Sequence, residues 1–318
     1  MHKQSGCVLG IDTSNYTTSF SLVEDGRVIA NLKAPLPGRE GACGLRQSDA
    51  LFAHIKNTPA IASSLREALE GRPLAAVGVS ERPRNLDGSY MPCFLAGLAL
   101  AEGIAATQGV PLYRFSHQCG HLRAALYSSG MQAWQSRPFG AFHISGGTTE
   151  MLSVEKASVG FLTKIVGGTR DLSAGQLVDR TGVMLGLSFP AGAPLEGLAA
   201  EFMGKIPRKP VKAEDGYVHL SGMENYARAL FEKEGDKSLC AAFVLRHITD
   251  VLIALSRYYR EEHGPSPLLF AGGVMSNAFI RCEIEKEISD AYFAAPAFSA
   301  DNAAGIALLA AESFAAEQ

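Results

Sequence analysis

The chain has 318 residues, is 47% hydrophobic and 19% charged, and carries 33 glycines and a formal net charge of −3. That composition is globular and long enough for two domains with cores of their own. The slight negative charge excludes a general attraction to nucleic acid or an anionic membrane.

The first strands read as "CVLGIDTS", "TTSFSLVE" and "RVIANLKA", with "EDG" as a hairpin signal between the second and third. A helix is expected over about Asp49 to Leu69, then a short strand, "AAVGVS", and a helix over about Pro92 to Gln108. Strand "PLYRF" leads into a helix that begins "HQCGH", residues 117 to 121. After a loop around "SSGMQAWQSRP" the strand pattern restarts as "FGAFHIS", "TTEMLSVE" and "VGFLTKIV". A helix over about Ser173 to Leu185 precedes a less regular insert at 188–237, rich in Pro, Gly and charge. A long helix from about Ser238 to His263 leads to strand "PLLFAG", helix "SNAFIRCEIEKEI", strand "AYFAAP" and a last helix, "NAAGIALLAAESFAA".

The restart has the form of a repeat: "TTSFSLV" at 17–23 answers "TTEMLSV" at 148–154, each after an apolar strand and a tight turn. Two related α/β domains around a cleft are expected, 1–135 and 136–318, the last helix (about 302–316) packing back on the first. Six scattered cysteines (Cys7, Cys43, Cys93, Cys119, Cys240, Cys282) lack any CxxC pair, so neither a disulfide framework nor a zinc knuckle is expected. The N-terminal stretch runs straight into a strand rather than a long apolar segment, and "CFLAGLALAEGIAA" is interrupted by Glu102. No signal peptide and no membrane span are expected, and the cytoplasm is the expected compartment. The basic run at Lys205, Arg208, Lys209 and Lys212 reads as a solvated loop.

Three glycine turns punctuate the strands: "GIDTSNYTT", "HISGGTTE" and "FAGGVMSN". Glycines at strand ends let backbone N–H groups approach a phosphate, and a following helix N-terminus adds a favourable dipole. None has Walker A or Rossmann spacing, but three together point to a nucleotide between the halves. His117 and His121, at i and i+4, share one helix face and can reach one ion, or can simply pack. Asp301, at a loop-to-helix junction, would complete a two-histidine, one-carboxylate set, or would serve as an N-cap. Spacing leaves both alternatives open. Cys119, between the histidines, points to another side of the helix.

With these motifs in order, the chain resembles the TsaD family, tRNA threonylcarbamoyladenosine synthases once taken for O-sialoglycoprotein endopeptidases. The resemblance covers nearly the whole chain through "VLGIDTS", "HQCGH", "ISGGTTEMLSV", "DLSAGQLVDRTGVMLGLSFPAG", "FAGGVMSN" and "SADNAAGIA". It implies an α/β fold of duplicated actin/Hsp70/sugar kinase-like (ribonuclease H-like) domains around a nucleotide cleft. It implies one divalent metal ion, iron or zinc, held by His117, His121 and Asp301. It further implies an adenine nucleotide (ATP, AMP or an acyl-adenylate) at His143, Ile144, Ser145, Gly146, Gly147, Asp179, Gly192, Gly272, Gly273 and Asn277. The implied reaction is acyl transfer, moving a threonylcarbamoyl group from its adenylate to the adenosine next to the tRNA anticodon, with tRNA reached through partner proteins. No catalytic residue is assigned.

The chain departs from the family pattern in three places. Tyr16 and Thr17 stand where an acidic pair is usual, Thr148 stands where "SGGHT" has histidine, and "SERPRNLDGSYMP" replaces a Gly-Pro-Gly loop. These changes keep two other readings in view: a carbamoyl or related acyl transferase for a small molecule or protein, as in hydrogenase-maturation carbamoyltransferases, and a non-catalytic nucleotide-binding partner. Protease activity is not expected, because the histidine pair lacks the glutamate of an HExxH motif.

Overall fold

The protein is described from a computed structural model, which covers residues 6–14, 16–37, 45–158, 160–300 and 302–318. Strand β1 (Cys7–Ser14) pairs antiparallel with β2 (Thr17–Glu24), which pairs antiparallel with β3 (Arg27–Pro35). Helix α1 (Gln47–Leu69) then returns the chain to β4 (Leu74–Arg82), parallel to β1. Helix α2 (Phe94–Gln108) leads to β5 (Leu112–Ser116), parallel to β4, and α3 (His117–Ser128) follows without a loop. The sheet order is β3-β2-β1-β4-β5. Every residue of β1 is buried, as a central strand covered on both faces requires.

The second sheet repeats this order. Strands β6 (Phe139–Ile144), β7 (Thr149–Lys156) and β8 (Phe161–Thr169) form an antiparallel meander. Helices α4 (Ala174–Met184) and α5 (Gly192–Ala200), a two-residue strand β9 (Tyr217–Val218), α6 (Ser221–Glu234) and α7 (Lys237–His263) follow. Strand β10 (Leu268–Ala271) then lies parallel to β6, and after α8 (Ala278–Glu287), β11 (Ala291–Phe293) lies parallel to β10. The resulting order is β11-β10-β6-β7-β8-β9. The chain closes with α9 (Pro296–Ser299) and α10 (Ala304–Ala316).

The insert expected to be irregular is substantially helical. Gly192, Pro194 and Gly197 obscure α5, but Leu195 and Ala199 are buried in the cluster around α7, and that packing outweighs propensity. Helix α6 buries only Ala227 fully, but Met223, Tyr226, Leu230 and Phe231 recur at helical spacing and lie half-buried on the same cluster. Helix α7 is long and apolar enough to cross a membrane, but 78% of its apolar window is buried inside the fold.

Helix α10 crosses to the first sheet. A Cβ added at Gly10 or Gly78 would touch Ala303, Ile306, Ala307 or Ala310, so the small residues of β1 and β4 let α10 lie close. One apolar cluster joins the two sheets, drawing Val8 and Phe115 from the first, Phe139, Leu152 and Leu269 from the second, and Leu122, Leu126, Ile306 and Leu309 from α3 and α10.

Asp171, between β8 and α4, ties the insert down: its carboxylate accepts from the amides of Leu172, Leu220 and Ser221 and from the Ser221 hydroxyl. Burial alone would raise its pKa, but these four donors outweigh that and hold it well below the usual carboxylate range. A depressed folded pKa stabilises fully above the unfolded value, about 3.9, and the contribution is lost as pH falls toward the folded one. Asp171→Asn is therefore expected to melt lower than the wild type at neutral pH, with the gap narrowing below about pH 4. Thermal melts of both proteins across pH check this, and a gap independent of pH would contradict it.

Candidate metal and nucleotide site

Helix α3 starts on the histidine itself. Ser116 is its N-cap, the Oγ accepting from Cys119 N at 3.2 Å, and places His117 in the first turn and His121 one turn on. The Nε2 atoms of the two rings converge to 2.9 Å, with ring centroids 4.3 Å apart. Behind them, His117 Nδ1 meets Asp12 Oδ2 at 2.7 Å, and Asp12 Oδ1 accepts from Ser14 N at 2.9 Å. Asp12 is fully buried at the end of β1 and holds His117 by its far nitrogen, so that Nε2 is the atom offered forward.

This is the outer-carboxylate arrangement that orients metal-ligating histidines. Two convergent neutral donors backed by a carboxylate suit zinc or ferrous iron better than magnesium, which prefers oxygen. Among the described residues, no group of three or more His, Cys, Asp or Glu side chains converges on one metal position. Asp301, the expected third ligand, lies outside the described residues. Cys119 Sγ faces Phe161 O at 3.5 Å and Asn85 Nδ2 at 3.3 Å, and burial raises its thiol pKa. It stands apart from the pair.

The second half brings its glycine turn to the same region. The β6–β7 turn is closed by Ser145, whose N donates to Thr148 O and whose Oγ accepts from the amides of Gly147 and Thr148. Ser173, the N-cap of α4, donates to Gly146 O at 2.8 Å, holding the turn against the helix N-terminus. Gly175 makes that approach possible, since a Cβ there would lie 2.5 Å from Ser145 O and 2.6 Å from Gly146 Cα. Neither Ser173 nor Gly175 was assigned a role from the sequence; the "LSAG" helix start is the only local signal. A Cβ at Gly146, Gly147, Gly192 or Gly273 would meet nothing within 4 Å, so open space fronts all four backbones. Gly272 is different: with φ at 101° and Ile144 O 2.2 Å from its would-be Cβ, only glycine fits.

Asp179 on α4 accepts from Ala191 N at 2.8 Å, fixing the chain just before Gly192. Burial raises its carboxyl pKa and the Ala191 amide opposes the rise. Asn277 caps α8, its Oδ1 accepting from Ile280 N at 3.0 Å, while Glu196 of α5 accepts from Ala278 N at 2.7 Å. Asp179, Gly192 and Asn277 are thus linked through α4, α5 and the start of α8.

Two further residues of the expected nucleotide set, His143 and Ile144, end strand β6. The Ile144 side chain is fully buried among Phe142, Met151 and Phe270, because alternation along β6 turns it into the core, which leaves only its backbone for a ligand. His143 lies with the imidazoles, its ring 4.8 Å from that of His121.

Between the halves, the altered loop after β4 supplies Arg84, which forms an ion pair with Glu150 of β7, and Gln118 of α3 donates to the same carboxylate at 3.3 Å. Burial pushes the Glu150 pKa up, and Arg84 opposes it.

Comparison with known proteins fits this architecture. A solved structure, the Acidaminococcus fermentans (R)-2-hydroxyglutaryl-CoA dehydratase component A, superposes with a TM-score of 0.56 at 17% identity over 98% of this chain and all of that one. HypF from T. kodakarensis gives 0.58 at 13% identity, over 98% of this chain and 48% of HypF. With a glucokinase of the ROK family from Streptomyces griseus, at 0.50, these place the fold in the actin/Hsp70/sugar-kinase class. Two curated relatives carry the name tRNA N6-adenosine threonylcarbamoyltransferase. One, from Thermus thermophilus, is 32% identical over 95% of this chain and 91% of its own length. The other, from Streptococcus suis, is 30% identical over the same shares. The family pattern for TsaD, tRNA N6-adenosine threonylcarbamoyltransferase, matches residues 48–308. This chain belongs to the TsaD family.

Proposed function

We propose that the protein is an acyltransferase that moves a threonylcarbamoyl group from its adenylate to the exocyclic amine of the adenosine next to a tRNA anticodon. The observation that carries this reading is the convergence of His117 and His121 Nε2, backed by Asp12, in a chain whose glycine turns occupy the strand ends of a duplicated α/β fold. In the reaction the amine nitrogen attacks the carbamoyl carbon, the bond from that carbon to the phosphate oxygen breaks, and AMP leaves with the electron pair as the amine loses a proton. A divalent iron or zinc ion, held by His117, His121 and Asp301, would polarise the carbamoyl oxygen.

The chain's own residues handle the nucleotide. The Gly146 amide and the dipole at the N-terminus of α4 face the leaving phosphate, where positive dipole ends favour the charge that AMP carries away. Asp179 accepts from a ribose hydroxyl, and Gly192 and Gly273 leave room for the nucleoside. Holding donor and acceptor together supplies the orientation term of the rate. The two domains meet near residue 135. Partner proteins present the tRNA, since a net charge of −3 gives the chain little attraction of its own for RNA. The cytoplasm is the compartment of such an enzyme.

The test is reconstitution: metal-loaded protein, threonylcarbamoyl-adenylate, unmodified tRNA and the host's partner proteins, followed by nucleoside digestion and mass detection. Threonylcarbamoyladenosine is expected to accumulate. Asp179→Asn keeps the Ala191 hydrogen bond but blunts acceptance from the ribose. A hydrogen bond to a charged group is worth about 1.5–3 kcal/mol, so nucleotide affinity should fall by roughly 10- to 150-fold. The complete mixture yielding no modified adenosine overturns the proposal.

A further inference from the structure

We propose that Glu150 is a positioning residue for the acyl transfer: from the start of β7 it fixes the histidine pair of α3 at the reaction distance from the turn that holds the leaving phosphate. The proposal rests on the function given above and adds a side chain that touches neither substrate.

Two neighbouring residues of β7 serve the two sides of the site. Thr149 Oγ1 accepts from Ala174 N at 2.8 Å, at the first residue of α4 and behind the Ser145–Gly146–Gly147 turn. Glu150, one residue and about 3.3 Å further along the strand, points to the opposite face. That face carries Leu152 and Val154 into the cluster shared with Leu122 and Leu126 of α3. Both carboxylate oxygens take a partner from across the halves: Oε1 is paired with Arg84, and Oε2 accepts from Gln118 Nε2 at 3.3 Å. Gln118 directly follows His117, and its Oε1 accepts from Thr163 of β8 at 2.8 Å. Its backbone N donates to Pro83 O at 3.0 Å, so the loop that carries Arg84 is fastened to the same turn of α3.

Packing beside Leu152 and Val154 does not call for a carboxylate. Glu150 is 9% exposed, and a charge so placed is costly unless it is paired and hydrogen-bonded. The transfer requires something that apolar packing does not supply. The bond that breaks joins the carbamoyl carbon, on the histidine side, to a phosphate oxygen, on the side of the glycine turn. These two sides lie on elements that follow different sheets, β5 for α3 and β6 for the turn, so their separation depends on contacts between elements. Apolar contact is non-directional, whereas a carboxylate held by two donors, one of them charged, fixes distance and angle together.

The decisive experiment separates rate from binding and from stability in the reconstituted transfer mixture. Glu150→Gln should lower kcat roughly 10- to 100-fold, the cost of misplacing reacting groups by about an ångström. The KM for threonylcarbamoyl-adenylate, the affinity for AMP and the zinc content should stay at wild-type values, because the turn and the histidine pair are each intact. A second variant, Arg84→Met with Glu150→Leu, removes both charges at similar volume and leaves none buried unpaired, so its melting temperature should match that of the wild type even where the single variant is unstable. If the network only stabilised the fold, transfer would return with stability in this double variant; a positioning role leaves kcat low in a protein as stable as the wild type. Wild-type kcat in Glu150→Gln, or in the stable double variant, overturns this proposal and leaves the proposed function standing. A wild type that forms no threonylcarbamoyladenosine overturns both.

Discussion

Replacing His121 with alanine is expected to strip the metal while leaving the protein folded. His121 contributes one of the two Nε2 atoms that converge at 2.9 Å, and without it His117 and Asp301 would be one ligand short of the three a protein site of this kind needs. Elemental analysis should find about one ion per wild-type chain and less than about a tenth of that in the variant. The fold should survive because helix α3 is held by other contacts: Leu122 and Leu126 sit in the apolar cluster shared by both sheets, and Arg123 pairs with Glu312 of α10 at 2.7 Å. Far-ultraviolet circular dichroism and the melting temperature should therefore change little. Threonylcarbamoyl transfer should fall with the metal, whereas adenine nucleotide binding, resting on the glycine turns, should persist. Equal metal content in the two proteins would reduce HQCGH to a helix face.

The largest stability effect is expected from Gly305→Ala. A Cβ at this position would stand 1.8 Å from Gly120 O and 2.9 Å from Ala124 N, both backbone atoms of α3. No rotamer change relieves such a clash, so α10 and α3 must part, opening the cluster around Ile306, Leu309 and Leu122. Overpacking in well-filled cores costs about 1–3 kcal/mol and more when backbone must move, so a loss of about 3 kcal/mol or greater is expected. Because α3 carries the histidine pair, metal affinity should fall along with stability. The control is Gly103→Ala, an exposed position on α2 where a Cβ would meet nothing within 4 Å. There the helix should gain about 0.5–1 kcal/mol. Denaturant melts of the two variants separate the cases: equal stability would mean that α3 and α10 do not touch as closely as described.

The parts of this site that the sequence made legible are those encoded within one element. The i, i+4 spacing puts His117 and His121 on one helix face whatever the rest of the chain does. The Ser145–Gly146–Gly147 turn was legible in the same way, as a glycine pair between two alternating strands. Where a local pattern was faint, the reading failed. Helix α5 begins with glycine and proline and exists because Leu195 and Ala199 pack on α7, a contact no window of neighbouring residues contains.

Composition, alternation and helical periodicity by themselves determined a two-part α/β protein, a histidine pair able to face one ion and a set of glycine turns suited to a phosphate. Only the tertiary structure decided what stands behind and beside them. Asp12 reaches His117 across 105 residues because β1, β4 and β5 run parallel and end together. His143 lies beside His121 because the parity of β6 and the docking of α3 turn its ring that way. Gly175 and Gly305 matter because a turn and a helix press against them. Spacing along a chain fixes angles within an element, whereas meetings between elements depend on sheet order and on which faces the apolar clusters draw together.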